Sequence, residues 1–184
     1  FRYYWSSPYS DYVWRRMRFI VRDYWLKNKP VIWIFAIWSS IIHIPDRDNF
    51  IWWDRECRTN NLLYTMDAYV LWALPPYNYL LWGKLISYIL SSNEVRNLYK
   101  KKYLNKITWD KKRTGSDLAC VFTTSLYWKS SQYNRISYEN TTLYQEIWET
   151  RWFWSLHLSE ETFLNMIEYL KSKDIKIGFK FWDW

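Results

Sequence analysis

Two uncharged, strongly apolar runs constrain this chain more than any other feature. Residues 30–45 and residues 68–83 are each 16 residues long and carry no Asp, Glu, Lys or Arg. A helix that crosses a bilayer needs about 20 apolar residues, with about 17 as the lower bound. Lys27 and Lys29 could lend their aliphatic stems to the first run and keep their ammonium groups in the headgroups. Pro30 and Pro45 punctuate it as a helix start and stop. The second run resumes past Lys84 as far as Leu90, and Pro75-Pro76 interrupts it, which predicts a kink or a helix–turn–helix. The competing reading is burial in a protein core. The many β-branched residues of the first run make a buried strand credible there.

Charge placement is what favours the membrane reading. Basic residues number six in 11–29, three in 46–67 and eight in 94–113. Under the positive-inside rule both apolar runs take the same orientation, with both chain ends on the cytoplasmic or matrix side. Around Trp14, Met17, Val21 and Tyr24/Trp25 the spacing predicts an amphipathic helix over 11–29, with Arg15, Arg16, Arg18 and Arg22 on its other faces. The segment 94–113 holds Arg96, Lys100, Lys101, Lys102, Lys106, Lys111, Lys112 and Arg113 against only Glu94 and Asp110, and Tyr99, Tyr103 and Trp109 are interleaved. These twelve basic residues are the candidate contacts for lipid headgroups or for RNA. Lysine neutralises phosphates, and aromatic rings stack on unpaired bases.

The C-terminal third reads as a small α+β unit. Residues 118–128 have strand composition, and residues 141–155 could be helical. Phe163, Met166, Ile167 and Leu170 form a helical stripe behind the N-cap Ser159, and Ile175, Ile177, Phe179 and Phe181 alternate as a half-buried strand. The predicted fold class is therefore α+β. Its N-terminal half is predominantly helical and admits a two-helix membrane hairpin, and it ends in a small helix–strand domain. The predicted segments are an aromatic-rich helical part over 1–92, a basic connector over 93–116 and the α+β part over 117–184.

Chemistry-bearing motifs are absent from the sequence. There is no phosphate-binding glycine loop, zinc-protease motif or nucleophile elbow. Cys57, Cys120, His43 and His157 lack the short spacings of a zinc site. Asp46/Asp48 and Glu160/Glu161 read as solvated or helix-dipole residues. Trp52-Trp53-Asp54-Arg55 resembles the tryptophan-rich haem-handling segment of cytochrome c maturation proteins. The likeness spans fewer than ten residues and lacks that motif's flanking glycines. No catalytic residue, cofactor, metal or small-molecule substrate is expected.

Composition supplies the rest. The chain has 184 residues, with 16 Trp, 17 Tyr and 9 Phe against 3 Gly, and a net charge of +8. Scarce Gly and Ala beside many Ile, Tyr, Lys and Asn point to an AT-rich gene. Abundant Trp fits such a gene only where UGA is read as Trp, as in many mitochondria and some bacteria. Together these features predict a non-catalytic structural subunit of a large membrane-bound energy-converting assembly, a respiratory complex or ATP synthase. It would lie in the mitochondrial inner membrane with its termini on the matrix side, held by other subunits and anionic lipid headgroups. The alternative is an RNA-binding protein of an organellar ribosome in the mitochondrial matrix, with ribosomal RNA as its partner.

Overall fold

A computed structural model describes residues 15–80, 83–108, 112–125, 130–149 and 160–175. The chain divides into two units, one of them Tyr12–Thr150 and the other containing the C-terminal helix. The first unit is built on a four-stranded sheet. Strands β1 (Arg16–Arg22), β2 (Val31–Ser39) and β3 (Thr65–Ala73) are antiparallel neighbours, and β4 (Cys120–Thr123) lies parallel to β3. Short helices α1 (Pro45–Phe50) and α2 (Arg55–Asn61) join β2 to β3. Helices α3 (Gly83–Leu90) and α4 (Asn93–Tyr103) lie between β3 and β4. A parallel pair needs such a crossover, because a tight turn can only reverse the chain. A two-stranded ribbon, β5 (Ser137–Tyr138) with β6 (Thr141–Thr142), follows. In the second unit, α5 (Glu160–Ser172) forms where the apolar stripe predicts a helix.

The helical N-terminal half and its membrane hairpin are not seen. Residues 16–22 form an edge strand, because the pattern that mimics a helix also has period two. Met17, Phe19 and Val21 face the core, and Arg16, Arg18, Ile20 and Arg22 take the other face. The first apolar run becomes the inner strand β2. Trp33, Phe35 and Ile37 are buried on one face, and Ile34 and Ala36 on the other. A strand covered on both faces has no reason to alternate, so its sequence is uniformly apolar, as a membrane segment's would be. The second run splits at Pro75-Pro76 into the end of β3 and helix α3. Among the described residues, no helix is long and apolar enough to cross a membrane. Residues 143–149 lie outside helix and strand, where a helix was expected over 141–155. Trp14, Ser159 and the predicted strand beyond Ile175 lie outside the described residues.

The core sits between the sheet and the crossover helices. Ile86 and Leu90 of α3 and Val95, Tyr99 and Tyr103 of α4 pack on Met17, Phe35, Ile37 and Met66. The α4 residues recur every fourth position, which makes one stripe and turns Lys100, Lys101 and Lys102 away from it. Gly115 permits a close approach beside this core. A Cβ there would lie 3.3 Å from Leu63 Cβ and 3.5 Å from Tyr64 Cε1.

One helix end departs from its sequence chemistry. Helix α1 closes with the paired hydrogen bonds of a Schellman turn: Trp53 N–H donates to Asp48 O and Trp52 N–H to Asn49 O. That turn places Trp52 at the position glycine ordinarily fills, with φ at 57°. Its side chain is 90% exposed and gains little from packing. A left-handed conformation costs an L-residue about 1–2 kcal/mol, and glycine's greater freedom in the unfolded chain returns part of that. Trp52→Gly is expected to raise stability by about 1 kcal/mol, which moves Tm up by about 2–4 °C. Thermal unfolding checks it, and a lowered Tm would show the indole to be held by contacts of its own.

Candidate nucleic-acid interface

Among the described residues, positive charge gathers where the end of α4 meets β1. Tyr103 makes that junction. Its hydroxyl donates to Arg16 O at 3.0 Å and accepts from Arg16 N–H at 2.8 Å, so one side chain satisfies both backbone groups of Arg16. Lys102 Nζ also donates to Arg16 O, at 2.5 Å. Three cations surround the Tyr103 ring: Arg15 Cζ is 4.9 Å from its centroid, Lys102 Nζ 5.5 Å and Lys106 Nζ 5.8 Å. Partial burial, then the like charges of Lys106, Arg16 and Arg18, lower the Lys102 pKa. Lys106, Arg16 and Arg18 thus all bring like charge to Lys102.

The twelve predicted contacts separate by role. Arg15 is turned inward: its guanidinium donates to Tyr99 O–H at 2.8 Å and to Gly115 O. Tyr99 in turn donates to Leu63 O at 2.9 Å. Arg22 Nη1 donates to Lys29 O at 3.1 Å across the β1–β2 hairpin. Lys100 is paired with Asp117 at 3.0 Å, both exposed. Arg113 donates to Thr59 O and so ties the chain after α4 to α2. Arg96, Lys101 and Lys112 are exposed, apart from the Tyr103 junction. Lys111 lies outside the described residues.

Sequence reasoning missed a second charged assembly, around Asp48. Its side chain is only 4% exposed. Arg47 donates to Oδ1 from Nε at 2.9 Å and from Nη2 at 2.6 Å, and Arg58 Nη1 donates to Oδ2 at 3.0 Å. Burial alone would push the Asp48 carboxyl up, but the hydrogen bonds from Arg47 and Arg58 hold it below its ordinary value. Arg47 is itself buried. It bonds Ile41 O at 2.8 Å and lies 5.8 Å from the Trp53 ring and 5.5 Å from the Phe122 ring. The signal in the sequence was Asp46-Arg47-Asp48 directly behind a buried strand, a place where solvated charge is unexpected. Nearby, burial pushes the Asp67 carboxyl up, while its Oδ2 accepts from Ile41 N–H at 3.0 Å.

His43 borders this assembly. Its Nδ1 lies 3.3 Å from Asp48 Oδ2 and 2.9 Å from Arg58 Nη1. The Trp-Trp-Asp-Arg segment does structural work. Trp53 covers Arg47, and Asp54 caps α2 by accepting from Cys57 N–H at 2.7 Å. Among the described residues, no group of three or more His, Cys, Asp and Glu side chains could hold a metal ion.

The comparison with protein families decides the chain's kinship: residues 1–180 match the family described as Druantia protein DruA. The chain belongs to that family. A curated relative, Druantia protein DruA of Escherichia coli (strain UMEA 4076-1), is 35% identical over 171 residues. The match covers 92% of this chain and 42% of the relative, so the chain spans about two fifths of the relative's length. No solved structure matches the chain. Membership in this family, with its bacterial relative, overturns the expectation of a mitochondrial respiratory or ATP-synthase subunit and equally that of an organellar ribosomal protein. The inner-membrane and matrix locations fall with them. So do the expected partners, namely neighbouring respiratory subunits, lipid headgroups and ribosomal RNA. The cause of the error is physical. An apolar run, basic flanks and many aromatics are shared by membrane-spanning helices and by the inner strands of packed sheets, and composition alone does not separate them.

Proposed function

We propose that this chain serves a Druantia-type bacterial anti-phage defence system as a part that binds nucleic acid, with other components of such a system as its partners. The observation that carries the reading is the pair Lys102 and Lys106 gathered on Tyr103 at the β1–α4 junction. Lysines held together at a fixed junction are stabilised by a polyanion, and a phosphodiester backbone supplies charge at the required density. The junction is rigid because Tyr103 is anchored to the strand backbone, so the charges are held in place before any ligand arrives.

Salt dependence tests the reading. If Lys102 and Lys106 each contact a phosphate of a single strand, they contribute about −1.4 to the slope of log K against log salt, at about −0.7 per contact. Anisotropy titrations of a fluorescent oligonucleotide between low and physiological salt measure it. A slope shallower than about −1 would remove the cluster from the interface.

A further inference from the structure

The β1–β2 hairpin ends in an ordered tip that holds apolar side chains in solvent. Asp23 N–H donates to Pro30 O at 3.0 Å, Asp23 Oδ1 accepts from Trp25 N–H at 2.9 Å, and Lys29 N–H donates to Leu26 O at 2.9 Å. The turn is thus fixed, yet Trp25 is 98% exposed, and Tyr24 and Leu26 are exposed beside it. Arg22, Lys27 and Lys29 flank these side chains against the single acid Asp23, a balance of +2.

A second exposed apolar group lies in the connection after β2. It consists of Ile41, Ile42, Phe50 and Trp52. Arg47 donates to Ile41 O at 2.8 Å and to Ile42 O at 3.4 Å, which holds the two isoleucines against α1. The exposed charges here are Asp46, Asp54 and Glu56 against Arg55, a balance of −2. Arg58 is drawn in to Asp48 at 3.0 Å, beside the buried Arg47.

These two surfaces stand at opposite ends of β2. The strand runs Val31–Ser39, and at about 3.3 Å per residue it separates them by about 26 Å. A tip therefore does not reach the patch of its own chain, whereas a second copy offers that patch freely. Tip against tip would oppose like charges, and tip against patch pairs unlike ones. A fully exposed Trp on a rigid turn, ringed by charge, has the make-up of an interface anchor.

We propose that the hairpin tip of one copy docks Trp25 on the Ile42–Phe50–Trp52 surface of a second copy, joining chains head to tail. Such a contact is heterologous. Each joined copy still offers one tip and one patch, so assembly continues into a ring or a filament. The inference does not depend on nucleic-acid binding.

Sedimentation velocity of the full chain, freed of nucleic acid, tests it. The mean mass of wild type is expected to rise from the 23.1 kDa of one chain to beyond twice that value as concentration goes from micromolar toward millimolar. Trp25→Glu and Ile42→Lys should each weaken association about thirtyfold or more, the effect of losing a central anchor. Both residues are exposed, so Tm in dilute solution should not move. Trp52→Gly, at a turn whose geometry suits glycine, is the second patch variant and should weaken association in the same sense. The decisive sample is an equimolar mixture of Trp25→Glu and Ile42→Lys. One variant keeps its patch and the other its tip, so together they should form a dimer of twice 23.1 kDa that grows no further. Wild type that stays monomeric throughout overturns the inference. So does a mixture that stays monomeric while wild type associates, or association left intact by Trp25→Glu.

Discussion

Arg47→Ala is expected to destabilise the chain by about 3 kcal/mol, the lower end of what breaking one side of a buried ion pair costs. Arg47 is among the largest fully buried side chains, and its removal acts at three places. Asp48 loses two of its three arginine hydrogen bonds and stays buried at 4% exposure. Ile41 O loses its donor. The rings of Trp53 and Phe122 lose the planar group lying between α1 and β4. The predicted fall in Tm is about 6–12 °C for a chain of this size. The loss should also depend on pH. The Asp48 pKa is depressed in the folded chain, so its contribution is present above the unfolded carboxylate pKa and is lost as pH falls through the folded value. Wild type and Arg47→Ala should therefore converge toward low pH. A variant that unfolds within about 2 °C of wild type at neutral pH would show the pair to be dispensable.

The double reversal Lys102→Glu/Lys106→Glu is expected to weaken nucleic-acid binding about a hundredfold at physiological salt. An exposed contact at about 4 Å is worth about 1 kcal/mol in water, reversal turns attraction into repulsion of similar size, and each 1.4 kcal/mol is about tenfold. Screening takes back part of the resulting total. The salt slope should shrink by about 1.4 for the two contacts removed. Lys171→Glu/Lys173→Glu on and beside α5 makes the same change in net charge outside the cluster, and should cost far less. Equal losses from the two double variants would mean that net charge, and no particular site, attracts the polyanion. Folding should survive the reversal, because Tyr103 still bonds both backbone groups of Arg16.

Some of this was legible in the residues. Cys120–Thr123 is a strand within a segment of strand composition, and α5 lies on its predicted stripe. The basic residues that meet at the junction were all among the predicted contacts, yet their grouping was hidden. Arg16 and Lys102 are 86 positions apart and meet only because Tyr103 pairs with the edge of β1. The N-terminal half was misread for a definite reason. Met17 and Val21 fit a helical stripe and a strand face equally well, and only pairing with β2 decides between them. The Asp48 assembly was missed because short-range spacing describes Asp46-Arg47-Asp48 as surface charge, whereas its burial comes from Trp53, Phe122 and the carbonyl of Ile41.

The Schellman turn after α1 reaches beyond mechanics to how the gene is translated. Its backbone specifies a residue without a side chain, and the chain supplies the largest side chain there is, in a sequence with 16 Trp and 3 Gly. If codon 52 is UGA, the tRNA that answers it sets the stability of this helix end. A ribosome that inserts Trp builds the strained turn, and one that inserts Gly builds the relaxed one from the same message. The mass of the peptide carrying residue 52, recovered from the native cell, would say which residue that cell inserts.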